Sequence, residues 1–117
     1  MTNKDSTRHY SDMQEKSVAK ALGGYQQSNS GAGHFAKGDV VIKSASMLCE
    51  CKCSMSPKQS FSIKKDWIIK NKQEAMSQRL TSQCIAFNFE PDGENYYVIN
   101  ETLMQALIDY LKEYYNA

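Results

Sequence analysis

No apolar run in this 117-residue chain approaches a membrane span, which needs about 20 consecutive apolar residues. Residues 1–15 likewise lack the apolar stretch of a secretory leader. Both absences predict a cytoplasmic protein, whose four cysteines are then reduced thiols. Charge of one sign is also missing: 14 Lys and Arg stand against 13 Asp and Glu, a formal net charge of +1. Bulk electrostatics therefore name no polyanionic partner. There is no internal repeat, and the length allows one domain with one core.

What is present is polarised. Residues 34–72 hold eight lysines against Asp39, Glu50 and Asp66, a local balance of +5. Residues 86–117 hold Lys112 against Glu90, Asp92, Glu94, Glu101, Asp109 and Glu113, a balance of −5. A solvated lysine-rich helix face would account for Lys64, Lys65, Lys70 and Lys72 taken alone.

Residues 1–10 read as a flexible polar leader and residues 11–117 as the single domain. The first helix is expected over 11–22, with Met13, Val18, Ala19 and Leu22 on its apolar face and Gly23-Gly24 as its stop. Residues 25–37 are rich in Ser, Asn and Gly and read as a loop, with room for a short edge strand at its start. Strands over 39–43 and 47–53 form a hairpin through Ser44-Ala45-Ser46. After a turn containing Pro57, Ser62 is expected to cap a helix reaching Arg79, with Ile63, Trp67, Ile68, Ala75 and Met76 buried. Strands over 83–89 and 96–99 flank a Pro91-Asp92-Gly93 turn. Asn100 then caps a helix whose Leu103, Leu107, Ile108, Leu111 and Tyr115 keep a helical repeat. This order predicts an α/β fold, a mixed central sheet flanked by helices.

The chemistry concentrates around Glu50-Cys51-Lys52. Side chains alternate along a strand, so Glu50 and Lys52 share a face about 7 Å apart, while Cys49, Cys51 and Cys53 share the other. If Asp39 ends the neighbouring strand, two carboxylates and an ammonium converge. Magnesium favours one or two carboxylates plus water and substrate phosphate. Asp39 and Glu50 would supply those carboxylates, and the Cys51 backbone carbonyl a third oxygen. Lys52 would orient or deprotonate a nucleophile, or neutralise charge as a phosphate becomes pentacovalent. A plain salt bridge between Glu50 and Lys52 is the bland alternative. The cysteine steps are too long for two sulfurs on one zinc without bending the strand, so these thiols, with Cys84, read as small core residues.

Gly38-Asp39 followed by Glu50-Cys51-Lys52 resembles the PD-(D/E)xK nuclease superfamily. The longer pattern, Ser28-Asn29-Ser30-Gly31-Ala32-Gly33 and then Lys37-Gly38-Asp39-Val40, resembles the Holliday junction resolvases of archaeal type and their phage relatives. Glu15 matches that group's helix glutamate, and Ser30 its loop serine. The chain departs from the pattern at Lys16, at Gln26-Gln27, and at Gly38, where the superfamily carries proline.

The resemblance implies a restriction-endonuclease-like fold and a homodimeric, Mg2+-dependent endonuclease hydrolysing phosphodiester bonds in branched DNA, with Mn2+ as an alternative ion. It gives catalytic roles to Lys52, Glu15 and Ser30, and makes Glu15 a further metal ligand beside Asp39 and Glu50. Ser28, Ser30, Lys37, Lys58, Lys64 and Lys65 are the expected DNA contacts, in a bacterial or phage-infected cell. Two other readings stand beside it: a nuclease acting on other DNA substrates, restriction-like or repair, and a non-catalytic nucleic-acid-binding domain. His34 adjoins the serine loop and is either a ligand or phosphate contact or, more plainly, a surface histidine. Gln73 and Glu74 of the second helix are open as site residues, and Trp67 reads as helix core.

Overall fold

The computed structural model describes residues 3–27 and 39–116, with side chains from residue 7 onward. The chain is α/β. Helix α1 (Asn3–Leu22) precedes three strands, β1 (Tyr25–Gln26), β2 (Asp39–Ile42) and β3 (Met47–Lys52). Helix α2 (Lys65–Ser77), β4 (Ser82–Phe87), β5 (Tyr96–Val98) and α3 (Glu101–Asn116) follow. The strands form one mixed sheet in the order β1-β2-β3-β4-β5. Only the central β3–β4 pair is parallel, and α2 is the crossover that a parallel pair requires.

The two sheet faces bury different things. Val18 of α1 packs with Val40, Ile42, Cys49, Cys84 and Ala86 on one face. Ala75 of α2 packs with Val41 and Leu48 on the other. Cys49 lies opposite Cys84 in the register, so the thiols are core groups under α1, as their alternation predicted. The Cys51 side-chain contact and burial push the Cys49 thiol far above the ordinary cysteine range, against a lowering contact from Cys84, while the Cys49 contact and burial do the same to Cys84. Gly24 is held where a Cβ would sit 2.5 Å from the Val41 carbonyl, so only glycine lets the end of α1 lie this close to β2.

Several expectations need correction. The first helix starts at Asn3 rather than at residue 11; the added stretch is polar but holds no Pro or Gly to stop a helix. Ser62 does not cap α2: Lys64 holds that position in an extended conformation, without a side-chain cap bond. The buried side of α2 is also rotated from the apolar pattern, because Ile68 and Met76 are exposed while Asn71 is buried. Asn71 earns that place by donating Nδ2 to the Cys84 carbonyl at 2.8 Å. Strand β4 stops before Asn88, whose side chain and carbonyl accept from Ser54 N and Ser54 Oγ, each at 2.8 Å. The cap of α3 is as expected, with Asn100 Oδ1 accepting from Leu103 N at 2.9 Å. No residue of α3 is buried, so its apolar repeat is left uncovered by the described residues. No helix among the described residues is long and apolar enough to cross a membrane.

Candidate functional site

Strand register assembles the site. In the antiparallel β2–β3 pair, Asp39 lies directly opposite Glu50, which puts their Cβ atoms roughly 5 Å apart on one face. That face also carries Val41 and Leu48, so it is the face under α2. The turn that fixes this register is a short 3-10 stretch, Lys43–Ala45, closed by Ser46 at φ 50°. Ser46 in turn accepts from Thr81 N and Ser82 N through its carbonyl at 3.0 and 2.9 Å, pinning β4 against β3.

Lys52 completes the group. Its Nζ lies 3.4 Å from Glu50 Oε2 and 4.4 Å from the centroid of the Trp67 ring. The ammonium is thus held between a carboxylate and an aromatic face, both favourable for a cation. Glu50 Oε2 is buried and, although close to the ammonium, has no hydrogen-bond partner of proper geometry among the described residues. Asp39 is 3% exposed. Like charges directly opposite in a ladder destabilise it, so this strand pair carries an electrostatic cost that a nearby cation relieves.

The donor set fits a hard divalent ion. Among the described residues no three or more His, Cys, Asp and Glu side chains form a metal cage. Two carboxylates on one face, one with a buried oxygen lacking a hydrogen bond, match magnesium's preference for few protein ligands plus water and phosphate. Cys51 lies between Glu50 and Lys52 in β3, and its side chain packs toward the α1 core.

The other expected site residues are dispersed. Glu15 lies on α1 and accepts a hydrogen bond from Gln26 Nε2 at 3.2 Å, next to Asp12, which accepts from the same amide at 2.9 Å. Gln26 is the register partner of Val40, so this cluster sits on the α1 side at the β1 edge, whereas Asp39 and Glu50 face α2. Burial pushes the Glu15 carboxyl above its usual value, only partly offset by the Gln26 hydrogen bond. The Gln26 hydrogen bond, helped by Lys16, pulls Asp12 below its own. Ser28, Ser30, Lys37 and His34 lie outside the described residues. On α2, Gln73 is exposed and Glu74 half-buried, one turn from Asn71 on the flank that meets the sheet.

Lys58, Lys64 and Lys65 are all exposed. Lys58 and Lys64 line an open cleft with Ser60, Phe61, Ser62 and Trp67. Trp67 is therefore more than helix core: it is half-exposed and forms a wall beside Lys52. Its place four residues before Asn71 and eight before Ala75 puts it on the stripe facing the sheet, a signal the sequence did contain. Gln14 gave no such signal. It is buried and donates to the Lys52 carbonyl at 2.9 Å, bracing the end of β3 from the α1 side. Comparison with protein-family models, with curated proteins and with solved structures finds no match to the chain.

Proposed function

We propose that this protein is a metal-dependent DNA endonuclease of the PD-(D/E)xK type with a restriction-endonuclease-like fold, and that its substrate is branched DNA such as a Holliday junction. The observation that carries the chemical part is the Asp39–Glu50 register pair with Lys52 on the same face. Carboxylates repel phosphate unless a cation stands between them, so a surface built only to hold DNA gains nothing from this pair.

Asp39 and Glu50 would hold Mg2+, or Mn2+ in its place, with the Cys51 carbonyl as an added oxygen. When bound, such an ion polarises a phosphoryl oxygen and lowers the pKa of its water. Lys52 supplies positive charge where the phosphate gains negative charge, and Trp67 limits where the ammonium can move. Glu15, Ser28, Ser30 and Lys37 enter this reading on the resemblance alone. Preference for a two-fold symmetric junction calls for a second copy of the chain, so that two sites face opposed strands.

The test is cleavage of an end-labelled synthetic four-way junction with Mg2+ and with chelator, beside nicked, flap and linear duplex controls. Paired nicks symmetric about the branch are expected with Mg2+. Asp39→Asn, Glu50→Gln and Lys52→Met should each lower the rate at least a hundredfold, the scale of losing a preorganised charge at the reacting centre. Undiminished cleavage by Asp39→Asn would overturn the metal assignment, and preference for linear duplex would overturn the junction assignment.

A further inference from the structure

The segment joining β3 to α2 is tied down at several points and forms a cleft. Ser54 donates two hydrogen bonds to Asn88, and Lys58 N donates to the Phe89 carbonyl at 2.8 Å. The Phe61 ring stacks on Phe87 at 5.1 Å between centroids and meets Trp67 at 6.1 Å. These contacts leave an open groove of about 500 Å³ lined by Lys58, Ser60, Phe61, Ser62, Lys64 and Trp67. Among the described residues no acidic side chain lines it, and Trp67, one of its walls, carries the Lys52 ammonium over its ring.

The lining groups suit one class of ligand. Asp66, the nearest acid in sequence, is paired with Lys70 at 3.2 Å. The ammoniums of Lys58 and Lys64 make no ion pair among the described residues; Lys64 instead lies 5.6 Å from the Trp67 centroid. The hydroxyls of Ser60 and Ser62 and the indole N–H of Trp67 make no hydrogen bond among the described residues. Cations and hydroxyls spaced along a groove follow a phosphate backbone, and a half-exposed aromatic ring offers a face to a base. A base within a duplex is already stacked on its neighbours and has no free face to give.

The geometry points to a binding groove for an unpaired nucleic-acid strand: Lys58, Lys64, Ser60 and Ser62 take the phosphates, and Phe61 and Trp67 take a base. It deepens the nuclease reading and rests on it for the use of the groove, which would lead an unstacked strand to Lys52 and the carboxylate pair. A branch point, a flap or a melted end supplies such a strand.

Trp67 is the sole tryptophan of the chain, so its fluorescence reports stacking directly. The full chain is titrated in chelator with an oligothymidylate of about a dozen nucleotides, with the same-length duplex and with oligoglutamate. Strong quenching by the single strand is expected, with at least tenfold weaker apparent affinity for the duplex and no quenching by oligoglutamate. Replacing Lys58 and Lys64 together by Gln should reduce the magnitude of the log K against log salt slope by about 1.4, two phosphate contacts at ~0.7 each. Absent quenching, equal quenching by duplex or oligoglutamate, or an unchanged slope would overturn the groove. Because chelator blocks cleavage, the two proposals fail separately: quenching without Mg2+-dependent cutting refutes the nuclease, and cutting without quenching refutes the groove.

Discussion

Removing the Lys52 charge is the sharpest physical perturbation of the site. Lys52→Met keeps an unbranched apolar stem and leaves Glu50 beside Asp39 without its ammonium. The two partners of the ion pair are 31% and 19% exposed, between the surface limit of about 0–1 kcal/mol and the buried limit of 3–5. A loss of about 2 kcal/mol is therefore expected, plus about 0.5–1 kcal/mol from the lost contact with the Trp67 ring. With a urea m-value of roughly 1–3 kcal/mol per molar, the midpoint should fall by about 1–3 M. Glu50→Gln in the Lys52→Met background should recover about 1–2 kcal/mol, the coupling expected of two charges in contact. If the carboxylate pair seats a divalent cation, Mg2+ at ten times its dissociation constant should restore about 1.4 kcal/mol to Lys52→Met. It should restore nothing once Glu50 is also neutral. Additive variants, each costing under about 0.5 kcal/mol and indifferent to Mg2+, would refute the reasoning and leave a solvent-screened pair with no ion seat.

Two further outcomes follow from other parts of the molecule. Burial raises the folded-state pKa of Glu15 above its ordinary 4.5, so the native state binds the extra proton and stability declines as pH rises through the folded value. Glu15→Gln should therefore be more stable by a few tenths of a kcal/mol near pH 7, screening having reduced the effect at this half-buried position, with the gain vanishing below about pH 4.5; urea melts at the two pH values check it, and a variant less stable at neutral pH would contradict it. Met104, Leu107, Ile108, Tyr110, Tyr114 and Tyr115 of α3 are 42–77% exposed, roughly 600–700 Å² of surface, close to the ~800 Å² each partner buries in a standard interface. A second copy of the chain is the occupant this area fits, so sedimentation should show a dimer at micromolar concentration that Leu107→Glu with Ile108→Glu converts to a monomer with unchanged helicity; a monomeric parent at tens of micromolar would dismiss the idea.

Much of the sheet was legible because its signals are local. Alternation placed Glu50 and Lys52 on one face and the three cysteines on the other, and the hairpin put the Asp39 strand beside them. The pairing of Asp39 with Glu50 itself comes from the four-residue link Lys43–Ser46, one residue longer than the sequence suggested. The helices were less legible. Ile68 and Met76 looked like core, but α2 docks through Asn71, whose amide satisfies a carbonyl of β4. An amide in that role is chosen by a backbone group distant in sequence, which no periodicity reveals. Asn88 and Gln14 were missed for the same reason. The repeat in α3 was read correctly as an apolar face, yet a repeat does not say whether the covering partner lies in the same chain. Glu15 matched a motif in linear order, while the pairing of Gln26 with Val40 carries its neighbourhood to the opposite side of the sheet.

Asp39, Glu50 and Lys52 all belong to one hairpin, whereas the parallel β3–β4 pairing must wait for the α2 crossover to bring β4 alongside. Closing a short loop costs less entropy than closing a long one, so the spacing of the two acids is set by nearest-neighbour chain geometry and not by the completed sheet. Insertions or losses in β5 and α3 can then reshape the rim while the gap between the two acids stays constant.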